Sequence, residues 1–240
     1  MKKIAIFLEG KCELLFVEAL IKTIADINHV SIEKIESSGG TGKRNFTIIE
    51  AKPINKKTKY YLLLYNCGND KQVKSDIRDQ YESLKKAGYC KIIGIRDVYP
   101  DATLEDLNLL RSGLISGFEH HDFPFVIFCL GVMEFEAWLL AEYTHFNRFN
   151  PNITSERIIK ELNIHIEEQN YSSIPRPSKI LSDIYWLEKI SYDKSQATIN
   201  NILSTIDFEF IKNHVSQKFD DLRILYKELN EFFETAYEPV

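Results

Sequence analysis

Through the first 145 residues of this 240-residue chain, short apolar runs alternate with stretches of helical spacing, and that alternation constrains the fold more than any other feature. The runs at 2–8 (KKIAIFL), 60–65 (YYLLLY), 91–96 (KIIGIR) and 123–130 (FPFVIFCL) read as buried strands, with a shorter one at 30–35. Helical patterns fall at 13–26, 73–87, 103–116 and 134–143, and a short helix is expected at 45–52. Strands separated by helices of about 12 to 15 residues make βαβ units. The expected class is therefore α/β, a mainly parallel sheet with helices on both faces. From Phe146 onward the patterns are helical, so the expected organisation is an α/β domain over 1–145 and a helical region over 146–240 packed on it.

The acids at the strand ends are the first candidates for chemistry. Glu9-Gly10 closes the first strand, Asp97 closes the run at 91–96, and Asp101 follows four residues later, past Pro100. Open α/β sheets bind ligands along the edge where the carboxyl ends of their strands lie, so Glu9 and Asp97 are expected to converge. Grouped carboxylates suit magnesium or manganese, hard cations that take oxygen ligands and assist phosphoryl transfer. Each acid also has a plainer use, as a favourable charge at the N-terminus of the next helix. Glu134 and Glu136 open the helical pattern after the last strand; two residues apart they point to different sides, so one is better placed than the pair.

Other motifs narrow the choice. The turn at 37–44 (SSGGTGKR) has Ser37 where a Walker A loop needs glycine and Arg44 where it needs Ser or Thr, so only a phosphate contact by Lys43 and Arg44 is expected of it. The six histidines lack metal-ligand spacing and are expected at the surface. A net charge of −5 speaks against a uniformly basic nucleic-acid coat but leaves room for a local basic groove. Four widely spaced cysteines without a CxxC pair point to reduced, mostly buried thiols and a cytoplasmic location. No run approaches the ~20 apolar residues of a membrane span.

The stretch IAIFLEGKCELLF, an acid and a glycine ending strand one with Glu13 three residues after the glycine, resembles the opening of Toprim domains. Those occur in topoisomerases, primases and the overcoming-lysogenization-defect nucleases. A wider resemblance rests on Glu9-Gly10, Gly39-Gly40, the EFEAWLL segment from Glu134, Pro177-Ser178-Lys179 and Tyr192-Asp193-Lys194 in that order. It is to a bacterial Toprim-like family of unknown function, domain-of-unknown-function family 4276, whose relatives are associated with defence against phage. The resemblance implies a metal-dependent nuclease or related phosphotransfer enzyme acting on nucleic acid. In it Glu9 is the acid/base group or a metal ligand, Glu13 the extra acid of the nucleases, and Asp97 with Asp101 the holder of magnesium or manganese. Glu134 or Glu136 adds a carboxylate, and Lys179 and Lys194 meet phosphate, although an isolated lysine is as readily a partner for a nearby acid. One departure stands out: the family's Asp-x-Asp reads Asp97-Val98-Tyr99. The alternative is thus a catalytically inactive Toprim-like scaffold that binds a partner ATPase or effector protein.

Overall fold

The computed structural model describes residues 1–39, 44–118 and 125–234. Six strands form one sheet in the order β3-β2-β4-β1-β5-β6: β1 (Lys2–Leu8), β2 (Val30–Ser38), β3 (Asn45–Ala51), β4 (Tyr60–Asn66), β5 (Lys91–Asp97) and β6 (Phe125–Gly131). β1 runs parallel to β4 on one side and β5 on the other, and β2 runs parallel to β4. The chain is α/β, with a mostly parallel sheet and a helical C-terminal region. Helices α1 (Lys11–Ile24), α2 (Asp70–Lys86) and α3 (Leu107–Ile115) lie between the strands; among the described residues no strand follows β6, and the chain continues through α4 (Glu136–Ala141), α5 (His145–Phe149), α6 (Ser155–Leu162), α7 (Pro177–Trp186) and α8 (Gln196–Leu203) to a last helix at Asp220–Glu234.

The contacts divide the chain into two compact units, each drawn from separated stretches. The first is Met1–Arg96, Asn108–Cys129 and Lys227–Val240; the second is Asp97–Leu107 and Leu130–Tyr226. This division does not fall at the single boundary near 145 that the change of pattern suggests.

In the first unit, strand alternation sends β1 and β4 residues to opposite faces. Ala5, Phe7, Leu63 and Tyr65 join Val73, Ile77, Tyr81 and Leu84 of α2 (Asp70–Lys86) in one cluster. Each of the Val, Leu, Ile and Phe side chains among them contributes about 1.5–3 kcal/mol by leaving water. Ile35 of β2 packs against the same cluster, whereas its neighbour Lys34 pairs with Glu18 of α1 (Lys11–Ile24) at 2.5 Å. Adjacent residues of a strand face opposite ways, so α1 and α2 cover different faces of the sheet.

Lys34 also reaches Glu50 at 2.8 Å, and Lys22 reaches Glu18 at 2.8 Å. Burial pushes the Glu18 carboxyl up, but the bonds from Lys22 and Lys34 outweigh it and leave the group below its ordinary value of 4.5. Burial pushes Lys34 down, and its bonds to Glu18 and Glu50 leave it above 10.5. A depressed carboxyl contributes stability above its unfolded pKa and loses it as pH falls through the folded value; a raised lysine contributes below its unfolded pKa and loses it as pH rises through its folded one. The unfolding midpoint should therefore fall on acidification below 4.5. Lys34→Met should cost roughly 1–2 kcal/mol at neutral pH and flatten that acid limb, as read by denaturant titration at several pH values.

Two expectations are corrected. Residues 45–51 form strand β3, not a short helix: Phe46, Thr47, Ile48 and Ile49 are strand formers, and antiparallel pairing with β2, with an irregularity at Lys34/Ile35, gives their backbone its partners. His145 is wholly buried rather than at the surface. Its Nδ1 donates to Glu142 O (2.5 Å), its Nε2 is hydrogen-bonded with Tyr185 OH (2.8 Å), and burial holds the Tyr185 hydroxyl well above its ordinary range. Cys12, Cys67 and Cys129 are buried and Cys90 is half-buried, and none of the four is in a disulfide among the described residues. The expectations placed on Gly40 to Lys43, on His120-His121 and on the strand's start at 123–124 lie outside the described residues. Among the described residues no helix is long and apolar enough to cross a membrane.

Candidate functional site

Register builds the carboxyl-end edge of the first unit. Leu8 pairs with Asn66 on β4 and with Ile95 on β5, so β1 and β4 end level while β5 runs two residues further, to Asp97. The backbone adds one more rung, with Glu9 N donating to Ile95 O (3.1 Å) and Cys67 N to Leu8 O (2.8 Å). Glu9 is half-buried at this edge. Gly10 is extended at φ −149°, a conformation any residue adopts; what its position needs is room, because a Cβ there would lie 3.1 Å from Glu13 Oε2. Glu13, buried in the first turn of α1, thus folds its carboxylate back over Gly10. Asp70 opens α2 at the same edge, and Arg96, the penultimate residue of β5, places Nε 3.9 Å from Asp70 Oδ1. Both are buried, so this acidic edge carries a cation of its own.

In the second unit the loop from Gly131 to Glu136 is the organising element. Val98 N donates to Gly131 O (3.1 Å) and Tyr99 N to Met133 O (2.8 Å), which lays the chain after β5 along the chain after β6. Buried Asp97 accepts from Phe135 N at 2.7 Å, a charge-assisted bond that fixes the carboxylate and the loop together. Asp97 caps the backbone before α4 rather than the helix that follows it in sequence. Glu134 Oε2 accepts from Ser178 N (2.7 Å) in the first turn of α7, where an acid is stabilising. Glu136, fully buried, accepts from Tyr192 OH (3.0 Å) and pairs with Lys194 Nζ (2.5 Å), both through Oε1. Its Oε2 is buried with no hydrogen-bond partner among the described residues. Three segments far apart in sequence, at 134–136, 177–179 and 192–194, are thereby joined by direct bonds between their polar groups.

The remaining candidates lie as follows. Asp101 is exposed in the turn after Pro100. Lys179 is exposed and pairs with Asp183 one turn along α7, at 2.7 Å. Arg44 turns into the first unit, where Nε donates to Ser37 Oγ (2.7 Å), Nη2 donates to Cys67 O (2.7 Å), and Nη2 lies 3.0 Å from Asp76 Oδ2. Burial still pushes the Asp76 carboxyl above its ordinary value, and pushes the Cys67 thiol up as well. Lys43 lies outside the described residues. Among the described residues no three His, Cys, Asp or Glu side chains come together as a ready metal site.

Arg96 and Tyr192 were not singled out by residue pattern as site residues. Arg96 had a signal, a charged residue inside a strand whose other residues are buried. Tyr192 had none of its own, since its partner Glu136 is 56 residues away. Likewise Arg176 lies over the ring of Tyr99, 5.9 Å from its centroid, a contact invisible in either local sequence. The chain matches no protein-family model, no curated protein and no solved structure.

Proposed function

We propose that the chain is a magnesium- or manganese-dependent phosphodiesterase acting on nucleic acid, a nuclease of the Toprim kind. The observation that supports this most is the bonding of Glu134 to Ser178 and of Glu136 to Tyr192 and Lys194, which ties each acid to one of the downstream segments and sets an ammonium against Glu136. The donors fit a hard divalent cation: every candidate ligand is a carboxylate oxygen, and one of them, Glu136 Oε2, is buried without a hydrogen-bond partner among the described residues. When bound, the cation supplies Lewis-acid stabilisation of charge on phosphoryl oxygens. In this reading Glu9 has the acid/base role, with Glu13 as its neighbouring acid. Asp97, Asp101, Glu134 and Glu136 are the carboxylates proposed to hold the cation, and Lys179 and Lys194 the cations proposed to neutralise phosphate. The Phe135 amide keeps Asp97 in one orientation, which is what a ligand on a loop requires.

The test is cleavage of single- and double-stranded DNA and RNA with magnesium or manganese, reversed by chelator. Asp97→Asn keeps an acceptor for the Phe135 amide and should cleave about 100-fold more slowly or worse, the scale of losing one electrostatic stabiliser. Equal inactivity of wild type and variant across the substrate panel would sink the reading.

A second reading, a non-catalytic scaffold for a partner ATPase or effector protein, draws on Tyr99, which stands where the resemblance expects an acid and lies beneath Arg176. Magnesium titration by calorimetry separates the two: the scaffold expects no specific binding that depends on Asp97.

A further inference from the structure

We infer that Lys194 is a built-in competitor for the cation at Glu136: its ammonium holds the carboxylate until a divalent ion displaces it, and displacement frees the lysine for the phosphate. The inference rests on the cation-dependent reading above and adds a mode of regulation to that site.

The carboxylate of Glu136 is lopsidedly satisfied. Oε1 receives two donors, the Tyr192 hydroxyl and the Lys194 ammonium, whereas Oε2 is buried with none among the described residues. A single positive charge at one oxygen offsets the buried anion but leaves the second oxygen desolvated, a costly arrangement to retain in an interior. A divalent ion carries twice the charge and takes oxygen ligands by preference, so it competes with the ammonium for this carboxylate.

The lysine is built to leave. The Glu136 side chain is 1% exposed and the Lys194 side chain 50%, so the ammonium reaches the buried carboxylate from the solvent side. Its exit needs no opening of the core. Lys194 sits at φ 56°, in the left-handed region that side chains disfavour, so the backbone holds it in place at a cost. The residues around it are fixed: Asp193 Oδ1 accepts from Ser195 N (2.9 Å), and Ser195 Oγ accepts from Thr198 N (3.2 Å) as the cap of α8. Exchange is therefore a side-chain rotation on a pinned loop, with Tyr192 still donating to Oε1.

The measurement is manganese binding to the full chain by calorimetry and by the manganese paramagnetic resonance signal, with no nucleic acid present. Lys194→Met should bind the ion about tenfold more tightly than wild type, because the internal competitor is gone. Lys194→Arg, whose guanidinium pairs with carboxylates in a fixed fork, should bind it more weakly than wild type. Glu136→Gln should abolish binding. Unchanged or weaker affinity in Lys194→Met overturns the inference, as does undiminished binding in Glu136→Gln or no manganese binding by any form. If Lys194→Met does not fold, Lys194→Arg decides: affinity equal to or above wild type overturns the inference. Tighter binding in Lys194→Met without cleavage of any substrate upholds the exchange and defeats the nuclease reading.

Discussion

Glu9→Gln is expected to slow metal-dependent cleavage by about 10²–10⁴-fold, the usual contribution of a positioned acid or base, while leaving the thermal unfolding midpoint close to that of the wild type. The two halves of the expectation have separate causes. Glutamine keeps the size and polarity of the side chain at a half-buried position but cannot take or give up a carboxyl proton. The structural work at this residue is done by the backbone, where Glu9 N extends the β1–β5 ladder to Ile95 O, and the substitution leaves that bond alone. Single-turnover cleavage with manganese in excess reads the chemical step. A variant that folds and cleaves at the wild-type rate would remove Glu9 from the mechanism and shift the acid/base role to Glu13, whose carboxylate lies against Gly10.

How much of this was legible depended on how local its cause is. β1, β4 and β5 could be read directly because Lys2–Leu8, Tyr60–Asn66 and Lys91–Asp97 carry their burial in their own residues. β3 could not: every residue in it is exposed, and what makes it a strand is β2 alongside. Fold class survives such an error because one exposed element changes neither the parallel pairings nor the faces on which α1 and α2 lie.

The candidate site divides in the same way. Strand-end position singled out Glu9 and Asp97, and spacing singled out Glu134 and Glu136, but what each acid bonds to lies elsewhere in the chain. Ser178 is 44 residues from Glu134, and Tyr192 is 56 from Glu136. The order of segments hinted that these stretches belong together without giving the contacts. His145 shows the converse: a lone histidine in a mixed-polarity stretch looks solvent-facing until Tyr185, 40 residues on, supplies the partner that lets it be buried.

Gly131→Ala is expected to destabilise the protein by about 3–5 kcal/mol, combining the cost of overpacking with that of a damaged buried, charge-assisted hydrogen bond. A Cβ at this position would run into Asp97 Oδ1 and would lie 2.9 Å from Phe135 N and 3.2 Å from Phe135 Cα. These are the donor and acceptor of the 2.7 Å bond that fixes the loop, so the methyl group presses on both its ends. Two of the atoms belong to the backbone, and no rotamer change relieves them. Nor can Gly131 itself retreat freely, because its carbonyl holds Val98 N at 3.1 Å. For a chain of this size the thermal midpoint should drop by roughly 8–15 °C. Asp97→Ala, by removing the nearest obstacle, should partly accommodate the added methyl group, so the double variant should lose clearly less stability than the two single losses added together. Strict additivity in a chemical-denaturation cycle would mean that Asp97 is not what confines Gly131, and that the tie between the end of β5 and the loop before α4 is made by the backbone alone.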